Sequence, residues 1–162
     1  MNLWDHYAKW YNLLRTNPVS YFLYRLEKRS ILDLLSRRTH VRDNGKATDL
    51  GTGRGWSLDL IPKDISCVYA LDQSIEMVHL AQEKYPHAEI IQCDALSTPF
   101  TSGSMDLISC VGLSEYISDL PALLEEIFRL LSNNGFAVIT SSPPNLMNQI
   151  RKLMGHHIYL RS

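Results

Sequence analysis

The sequence predicts an α/β fold, a doubly wound and mainly parallel sheet preceded by helices at the N-terminus. Two observations predict it: short, wholly apolar segments alternate with helical ones, and a glycine or an acid follows each of the first three. Right-handed crossovers then place successive strands on both sides of the first strand. The length of 162 residues, 45% of them hydrophobic, fits one globular domain.

Hydrophobic periodicity sets the individual elements. The predicted strands are residues 47–50, 67–71, 89–93, 105–111 and 136–140. The predicted helices are residues 3–16, 19–37, 56–61, 75–84, 119–131 and 145–154. Ser74 is the expected N-cap of the fourth helix. Turns are expected at 43–45 and 133–135, the second in a left-handed conformation after a helix.

Inward-facing apolar residues are expected on two of these helices. They are Leu23, Leu26, Ile31, Leu34 and Leu35 on the second helix, and Leu123, Leu124, Ile127, Leu130 and Leu131 on the fifth. Cys67, Cys93 and Cys110 are odd in number and lie in apolar runs. They are therefore expected to be buried thiols in a cytoplasmic protein rather than parts of a disulfide scaffold.

Charge is unevenly spread although the net charge is only −1. Residues 47–145 carry thirteen acidic and four basic side chains, which makes nucleic-acid binding by this part unfavourable. The basic residues near the N-terminus are Arg25, Lys28, Arg29, Arg37, Arg38, Arg42 and Lys46. A solvated helix face is the favoured interpretation, and association with a nucleic acid or peripherally with an anionic membrane surface is the alternative. No apolar run reaches the about 20 residues of a membrane span.

Three alternating glycines follow the first predicted strand. Gly51, Gly53 and Gly55 exceed what a strand-to-helix turn needs. Glycine permits positive φ and lets a ligand approach the bare backbone at a helix N-terminus. The spacing is not the dinucleotide fingerprint, because Trp56 stands where that motif has its third glycine. A close ligand contact of another kind is therefore expected.

An acid ends each of the next two predicted strands. Asp72 stands where nucleotide-binding α/β folds place the carboxylate that accepts from a ribose diol. A helix cap is the alternative for Asp72. Asp94, followed by Ala95, is placed to accept from an exocyclic amine such as that of adenine, or to act as a neutral cap.

These segments resemble the successive motifs of class I S-adenosylmethionine-dependent methyltransferases, especially the small-molecule branch that contains the ubiquinone/menaquinone-type enzymes. The segments are residues 49–55, 71–74, 93–95 and 105–108, and the resemblance covers about residues 1–145. It implies a Rossmann-like methyltransferase fold and an enzyme that uses S-adenosyl-L-methionine, with S-adenosyl-L-homocysteine as product. It also implies a small-molecule methyl acceptor.

The resemblance also implies which residues hold the cofactor. They are Tyr11, Asp49, Gly51, Thr52, Gly53, Gly55, Asp72, Gln73, Asp94, Ala95, Cys110 and Val111. Asp72 matches the acid that binds the ribose hydroxyls, and Asp94 matches the partner of the adenine amine. Tyr11 matches an N-terminal tyrosine that closes over the cofactor. Tyr7 is a second candidate, and packing of the N-terminal helix is an equal alternative for both tyrosines.

Methyl transfer from a sulfonium is an in-line displacement that needs alignment and exclusion of water more than covalent catalysis. A base is needed only if the acceptor arrives protonated. The catalytic residues are left unknown, with Tyr11, Glu115 and Tyr116 as candidates. A surface acid and a packed ring are the alternatives for Glu115 and Tyr116. No metal site is predicted, since the paired histidines at 156–157 lack a metal-ligand spacing.

The single domain divides into an N-terminal helical lid (1–42), a cofactor-binding core (46–145) and a C-terminal helix and tail (146–162). The family sheet has two further strands after the fifth, which this sequence lacks, so an apolar sheet edge is expected. Three explanations are open: a truncated chain, a partner or second copy that covers the edge, or a naturally reduced protein. The alternative function is a reduced cofactor-binding or interaction module completed by a partner chain.

Overall fold

The computed structural model describes residues 18–37 and 44–141. Its helices are α1 (Pro18–Ser36), α2 (Ile75–Lys84) and α3 (Leu120–Leu130), with short 3-10 helices at Trp56–Leu60 and Ser114–Tyr116. Its strands are β1 (Gly45–Leu50), β2 (Ile65–Asp72), β3 (Glu89–Gln92), β4 (Met105–Cys110) and β5 (Leu131–Ile139). All strand pairs are parallel, in the order β3-β2-β1-β4-β5. The predicted doubly wound α/β fold is confirmed.

The two faces of the sheet are covered by different helices. On one face, Leu123 and Ile127 of α3 form a buried cluster with Leu50 and Ile108. On the other face, α1 and the first 3-10 helix share a cluster with β1 and β4, and α2 packs on β2 and β3. Helices on both faces explain why the strands are apolar throughout rather than alternating.

Strand β1 occupies the centre of the sheet, and residues 47–50 are at most 1% exposed. β1 pairs with β2 on one side and with β4 on the other. The chain therefore leaves β1 in one direction and later crosses to its opposite side. Ligands of such sheets bind where the strand order reverses, at the carboxyl ends of the strands. The loops after β1 and β4 meet at that point.

The predicted cap at Ser74 and the predicted turn before β1 are confirmed. Ser74 accepts a hydrogen bond from the Met77 backbone N–H (3.3 Å) and caps α2. Asp119 caps α3 through the Ala122 backbone N–H (3.0 Å). Asn44 has a φ of 65°, which fits the expected turn before β1. The predicted helices 3–16 and 145–154 lie outside the described residues.

The left-handed turn expected at 133–135 is wrong. β5 begins at Leu131 directly after α3, and none of the three residues has a positive φ. A Cβ on Gly135 would lie 2.8 Å from the Met105 carbonyl oxygen. Glycine is required here because β4 approaches closely, beside an irregularity in the β4–β5 register, and not because the chain turns.

Several burial predictions are also wrong. In α1, Ile31 and Leu35 are buried, but Leu26 and Leu34 are 49% and 42% exposed. Leu34 lies one helical step and Leu26 half a turn around the helix from Leu35, so both stand off the buried side. The side chain of Leu23 lies outside those described. The following residues were expected inside and are exposed or half-buried instead: Leu124, Leu131, Cys67 and Cys93. Leu124 is turned by one helical step away from the buried side of α3. Cys67 stands near the exposed beginning of β2.

Within the described residues, no helix is long and apolar enough to cross a membrane. No group of three or more histidine, cysteine or acidic side chains that could hold a metal ion occurs in that part of the chain. β3 and β5 form the two edges of the described sheet.

Candidate functional site

The glycine loop after β1 adopts a backbone that favours glycine at three positions. Gly51, Gly53 and Gly55 have φ values of 69°, 54° and 79°. The surroundings of the three differ, however. A Cβ on Gly51 or Gly55 would lie 2.7 Å from Leu113 or from the Tyr85 ring, whereas a Cβ on Gly53 would meet nothing within 4 Å. Two glycines thus admit packing of the chain on itself, and Gly53 leaves open space for a ligand.

Asp72, the last residue of β2, is bound to this loop. Its Oδ2 accepts from the Gly53 N–H (2.7 Å), and its Oδ1 accepts from the Ser74 N–H (2.9 Å). The neighbouring Thr52 N–H donates to the Leu71 carbonyl (2.8 Å). The carboxylate is therefore oriented by backbone before any ligand arrives. An ionised carboxylate has about four acceptor sites, so it retains capacity for a hydroxyl pair.

Asp49 lies beneath the loop and is 1% exposed. The Ser57 hydroxyl of the first 3-10 helix donates to its Oδ2 (2.5 Å). Among the described residues, no hydrogen-bond partner meets its Oδ1 or the buried hydroxyl of Thr52. Burial raises the pKa of Asp49, and the nearby hydroxyls of Ser57, Thr52 and Ser109 act in the opposite direction. Of these three, only the Ser57 hydroxyl lies in hydrogen-bond geometry with the carboxylate. Such a carboxylate is incompletely compensated and is a candidate for a ligand contact.

The ends of β2 and β3 lie side by side, since the Cys93 N–H donates to the Asp72 carbonyl (2.9 Å). Asp94 follows and is exposed, and its Oδ1 accepts from the Leu96 N–H (2.9 Å). This bond closes a local turn after β3. Ala95 is buried beside it, and Gln73 is exposed across from them.

The end of β4 provides the other side of the site. Cys110 is fully buried, and burial together with the nearby Asp49 charge raises the pKa of its thiol to about 12, so the thiol stays protonated. Val111 is buried, and Gly112 has a φ of 71° with open space where a Cβ would stand. The Gly112 N–H donates to the Thr140 hydroxyl (2.9 Å), which ties this loop to the end of β5.

Glu115 and Tyr116 lie in the 3-10 helix just beyond this loop. Glu115 is 6% exposed, so its interpretation as a surface acid is wrong. Tyr116 is half-buried. The preceding Ser114 hydroxyl donates to the Thr140 carbonyl (2.8 Å), which fixes the segment against β5. Tyr11 and Tyr7 lie outside the described residues.

Two contributors to the site were missed in the sequence. Ser57 holds Asp49 from a different element, and nothing in its local sequence marks it. Thr140 closes the loop after β4 from β5, and its only signal is a polar residue at the carboxyl end of a strand. Both act through contacts between distant parts of the chain, which local patterns do not contain.

A family model described as a methyltransferase domain matches residues 48–139, from β1 to the end of β5. The chain belongs to this family. The resemblance to class I S-adenosylmethionine-dependent methyltransferases is thereby confirmed, and S-adenosylmethionine is the cofactor of such enzymes.

Two named proteins are similar in sequence to this methyltransferase domain. It is 27% identical over 111 residues to the biotin biosynthesis bifunctional protein of Cellvibrio japonicus, covering 68% of this chain and 22% of that protein. It is 25% identical over 107 residues to the ubiquinone/menaquinone biosynthesis C-methyltransferase of Campylobacter jejuni, covering 62% and 46% of the two chains. The chain thus spans less than half the length of these two relatives.

Solved structures show the same fold. A Methanococcus maripaludis protein described as an S-adenosylmethionine-dependent methyltransferase superposes with a TM-score of 0.71 at 21% identity, covering 95% of this chain and 72% of that one. The geranyl diphosphate C-methyltransferase of Streptomyces coelicolor superposes with a TM-score of 0.70 at 21% identity, covering 86% and 56%. That structure contains Mg²⁺, geranyl diphosphate and S-adenosyl-L-homocysteine.

The residues of the methyltransferase domain fit its family's cofactor. Asp49 Oδ1 and the Thr52 hydroxyl are buried acceptors without a partner among the described residues. They lie next to Gly53, whose missing side chain leaves room. Asp72 is held in place at the same sheet edge. A cationic and hydroxyl-rich ligand such as S-adenosylmethionine matches this donor and acceptor set.

Proposed function

We propose that this methyltransferase domain binds S-adenosyl-L-methionine at the carboxyl edge of its sheet and transfers the methyl group to a small-molecule acceptor. The observation that carries the proposal is the under-satisfied carboxylate of Asp49 below the open, left-handed Gly53. A buried charge without full compensation costs free energy, and a cationic ligand removes that cost.

Each part of the ligand has an assigned region of the chain. The loop around Gly53 and the acid Asp49 would hold the methionine part, and Asp72 would accept from the ribose hydroxyls. Asp94, Ala95 and Gln73 would surround the adenine. Support for these assignments comes from the backbone bonds that bring Gly53, Asp72 and the end of β3 together.

The domain's own contribution to methyl transfer would be alignment and exclusion of water. S-adenosylmethionine supplies an already activated methyl sulfonium, so no covalent step by the protein is needed. The buried Cys110 and Val111 would form an apolar floor where methyl donor and acceptor meet. Gly112 offers space for the acceptor beside them. If the acceptor carries a proton, Glu115 is the candidate base, with Tyr116 and Tyr11 as alternatives.

A small acceptor is favoured by charge and by relatives. The acidic balance of residues 47–145 disfavours a nucleic-acid backbone. The relatives that act in ubiquinone or menaquinone biosynthesis and on geranyl diphosphate are named for small molecules. We further propose a cytoplasmic location, in keeping with three unpaired cysteines, and a partner or second copy at the β5 edge. Light scattering would detect the second copy.

Isothermal titration calorimetry with S-adenosylmethionine and S-adenosylhomocysteine tests the cofactor site directly. Folded protein that binds neither ligand contradicts the proposal. Asp72→Asn should weaken binding by about 1.5–3 kcal/mol, the size of a hydrogen bond to a charged group. Asp59→Asn, an exposed acid on the first 3-10 helix, is the matched control and should bind as the wild type does. A methyl-acceptor screen would then identify the substrate.

A further inference from the structure

A charged pair on α3 anchors the loop between β3 and β4. Glu126 is 8% exposed, and its Oε1 accepts from both the backbone N–H (2.8 Å) and the hydroxyl (2.6 Å) of Thr98. Arg129 donates to Glu126 through Nε (2.7 Å) and Nη2 (2.7 Å). Both carboxylate oxygens are thus engaged, across 28 residues of sequence.

Arg129 extends the anchor along the loop. Its Nη1 donates to the Phe100 carbonyl (2.8 Å) and to the Ser102 hydroxyl (3.2 Å). Its own carbonyl accepts from the Gly103 N–H (2.8 Å). The Phe100 ring in turn contacts Tyr69 of β2, with ring centroids 4.9 Å apart. Residues 93–104 contain no helix or strand, so these contacts replace the missing regular structure.

The anchored segment continues directly into the residues assigned to the adenine. Thr98 follows the turn in which Asp94 accepts from the Leu96 N–H (2.9 Å) and, through its carbonyl, from the Ser97 N–H (3.2 Å). Ala95 belongs to the same buried cluster as the inner side of α3. Displacement of Thr98 would therefore move the turn that presents Asp94 and Ala95.

We propose that Glu126 and Arg129 are positioning residues for the adenine end of the cofactor site. The inference rests on the proposed function and adds a role for two side chains that do not touch the ligand. They order the β3–β4 loop in advance, so that the ligand does not bear the entropic cost of ordering it. Their effect on binding passes through Asp94 and Ala95.

Paired ligands distinguish positioning from general stability. Calorimetry would compare S-adenosylhomocysteine with S-inosylhomocysteine, in which an oxygen replaces the adenine amine. Wild type should prefer the adenosyl ligand, and Glu126→Gln should bind it about five- to tenfold more weakly, as expected for one lost hydrogen bond. The variant should also lose most of the preference. Glu125→Gln, an exposed neighbour on α3, should keep both affinity and preference.

Equal affinity and equal preference in folded Glu126→Gln overturn the inference. If that variant does not fold, Thr98→Val takes its place, because it removes only the hydroxyl that donates to Glu126. Hydrogen exchange of the Leu96 and Ser97 amides without ligand is the second measurement. Exchange should accelerate in either variant, and unchanged exchange contradicts the anchor. If the wild-type protein binds neither ligand, the proposed function is refuted. The exchange rates would then still show whether Glu126 and Arg129 order the β3–β4 loop.

Discussion

Two buried carboxylates on opposite faces of the sheet show how differently one chemical group is used. Asp49, below the glycine loop, has one hydrogen bond from Ser57 and an oxygen with no partner among the described residues. Glu126, on α3, receives four hydrogen bonds from Thr98 and Arg129. Burial raises the pKa of Asp49, whereas the Arg129 hydrogen bonds lower the pKa of Glu126 to about 2.

The difference separates a carboxylate kept for a ligand from one used to build the fold. Removing a buried acid whose oxygens are fully engaged destabilises the native state, because its donors are left without a partner. A buried acid that is left incomplete costs stability, and such a cost is typical of functional sites. Four experiments test the distinction, beginning with the largest expected effect.

Glu126→Ala should lower the free energy of unfolding by about 3 kcal/mol, since it leaves the Thr98 N–H without a partner and removes the charged acceptor of the part-exposed Arg129. Urea denaturation followed by circular dichroism would measure the change. Glu125→Ala on the exposed side of the same helix should change stability by no more than about 0.5 kcal/mol. Similar losses of stability in Glu126→Ala and Glu125→Ala would contradict a structural role for Glu126.

The two acids should respond to pH with opposite signs. Glu126 has a folded-state pKa of about 2 against an ordinary value of 4.5, so its stabilisation is complete above pH 4.5 and lost as pH falls towards 2. This amounts to about 3 kcal/mol. Asp49 has a raised pKa, so its cost is absent below its ordinary value of 3.8 and grows as pH rises through the folded value.

Denaturation between pH 2 and 7 would measure both effects. On acidification, wild type should lose stability relative to Glu126→Gln and gain stability relative to Asp49→Asn. Parallel pH dependences for the two pairs would contradict the assignment of opposite pKa shifts.

Asp49→Asn should weaken binding of S-adenosylhomocysteine by about 2 kcal/mol through loss of a charge-assisted contact. The free energy of unfolding should not fall, because burial penalises only the charged form. Calorimetry and thermal unfolding of the same sample would measure the two quantities. Loss of stability with unchanged affinity would place Asp49 with Glu126 as a structural acid.

Thr48→Val should have the smallest effect. Thr48 is fully buried, and its hydroxyl has no partner among the described residues. Its register partners are Tyr69 in β2 and Ile108 in β4. Its side chain lies on the opposite face of β1 from that of Asp49. Replacing that hydroxyl with a methyl group should raise stability by about 0.5–1 kcal/mol and leave ligand affinity unchanged. A clear loss of affinity would extend the site to Thr48.

Sequence patterns predicted the five strands, and the candidate site residues at their ends, from features that are local. A few neighbouring residues are enough to recognise the glycines at 51–55, the cap at Ser74 and the acids at the strand ends. The sequence did not reveal that Gly51 and Gly55 accommodate Leu113 and Tyr85 while Gly53 stays open. Nor did it separate the turn expected at 133–135 from a close approach of β4 to Gly135.

The contacts of Glu126 could not be predicted from the sequence. Thr98 lies 28 residues away in the β3–β4 loop, and Arg129 lies three residues away on the same helix. A spacing of three on a helix is typical of an exposed ion pair, so the sequence offers a solvated pair as the natural interpretation. Burial of Glu115 was missed for the same reason: the end of β5 covers its segment, and no local pattern records that contact.

The three cysteines give the molecule a ready site for chemical labelling. Cys67 is exposed, Cys93 is half-buried with a thiol pKa raised by burial, and Cys110 is buried with a thiol pKa of about 12, so a maleimide dye should react first with Cys67. Cys67 stands five residues before Asp72 on β2, which places a dye about 16 Å from the carboxyl edge. A fluorophore there would leave the candidate site at that edge unblocked.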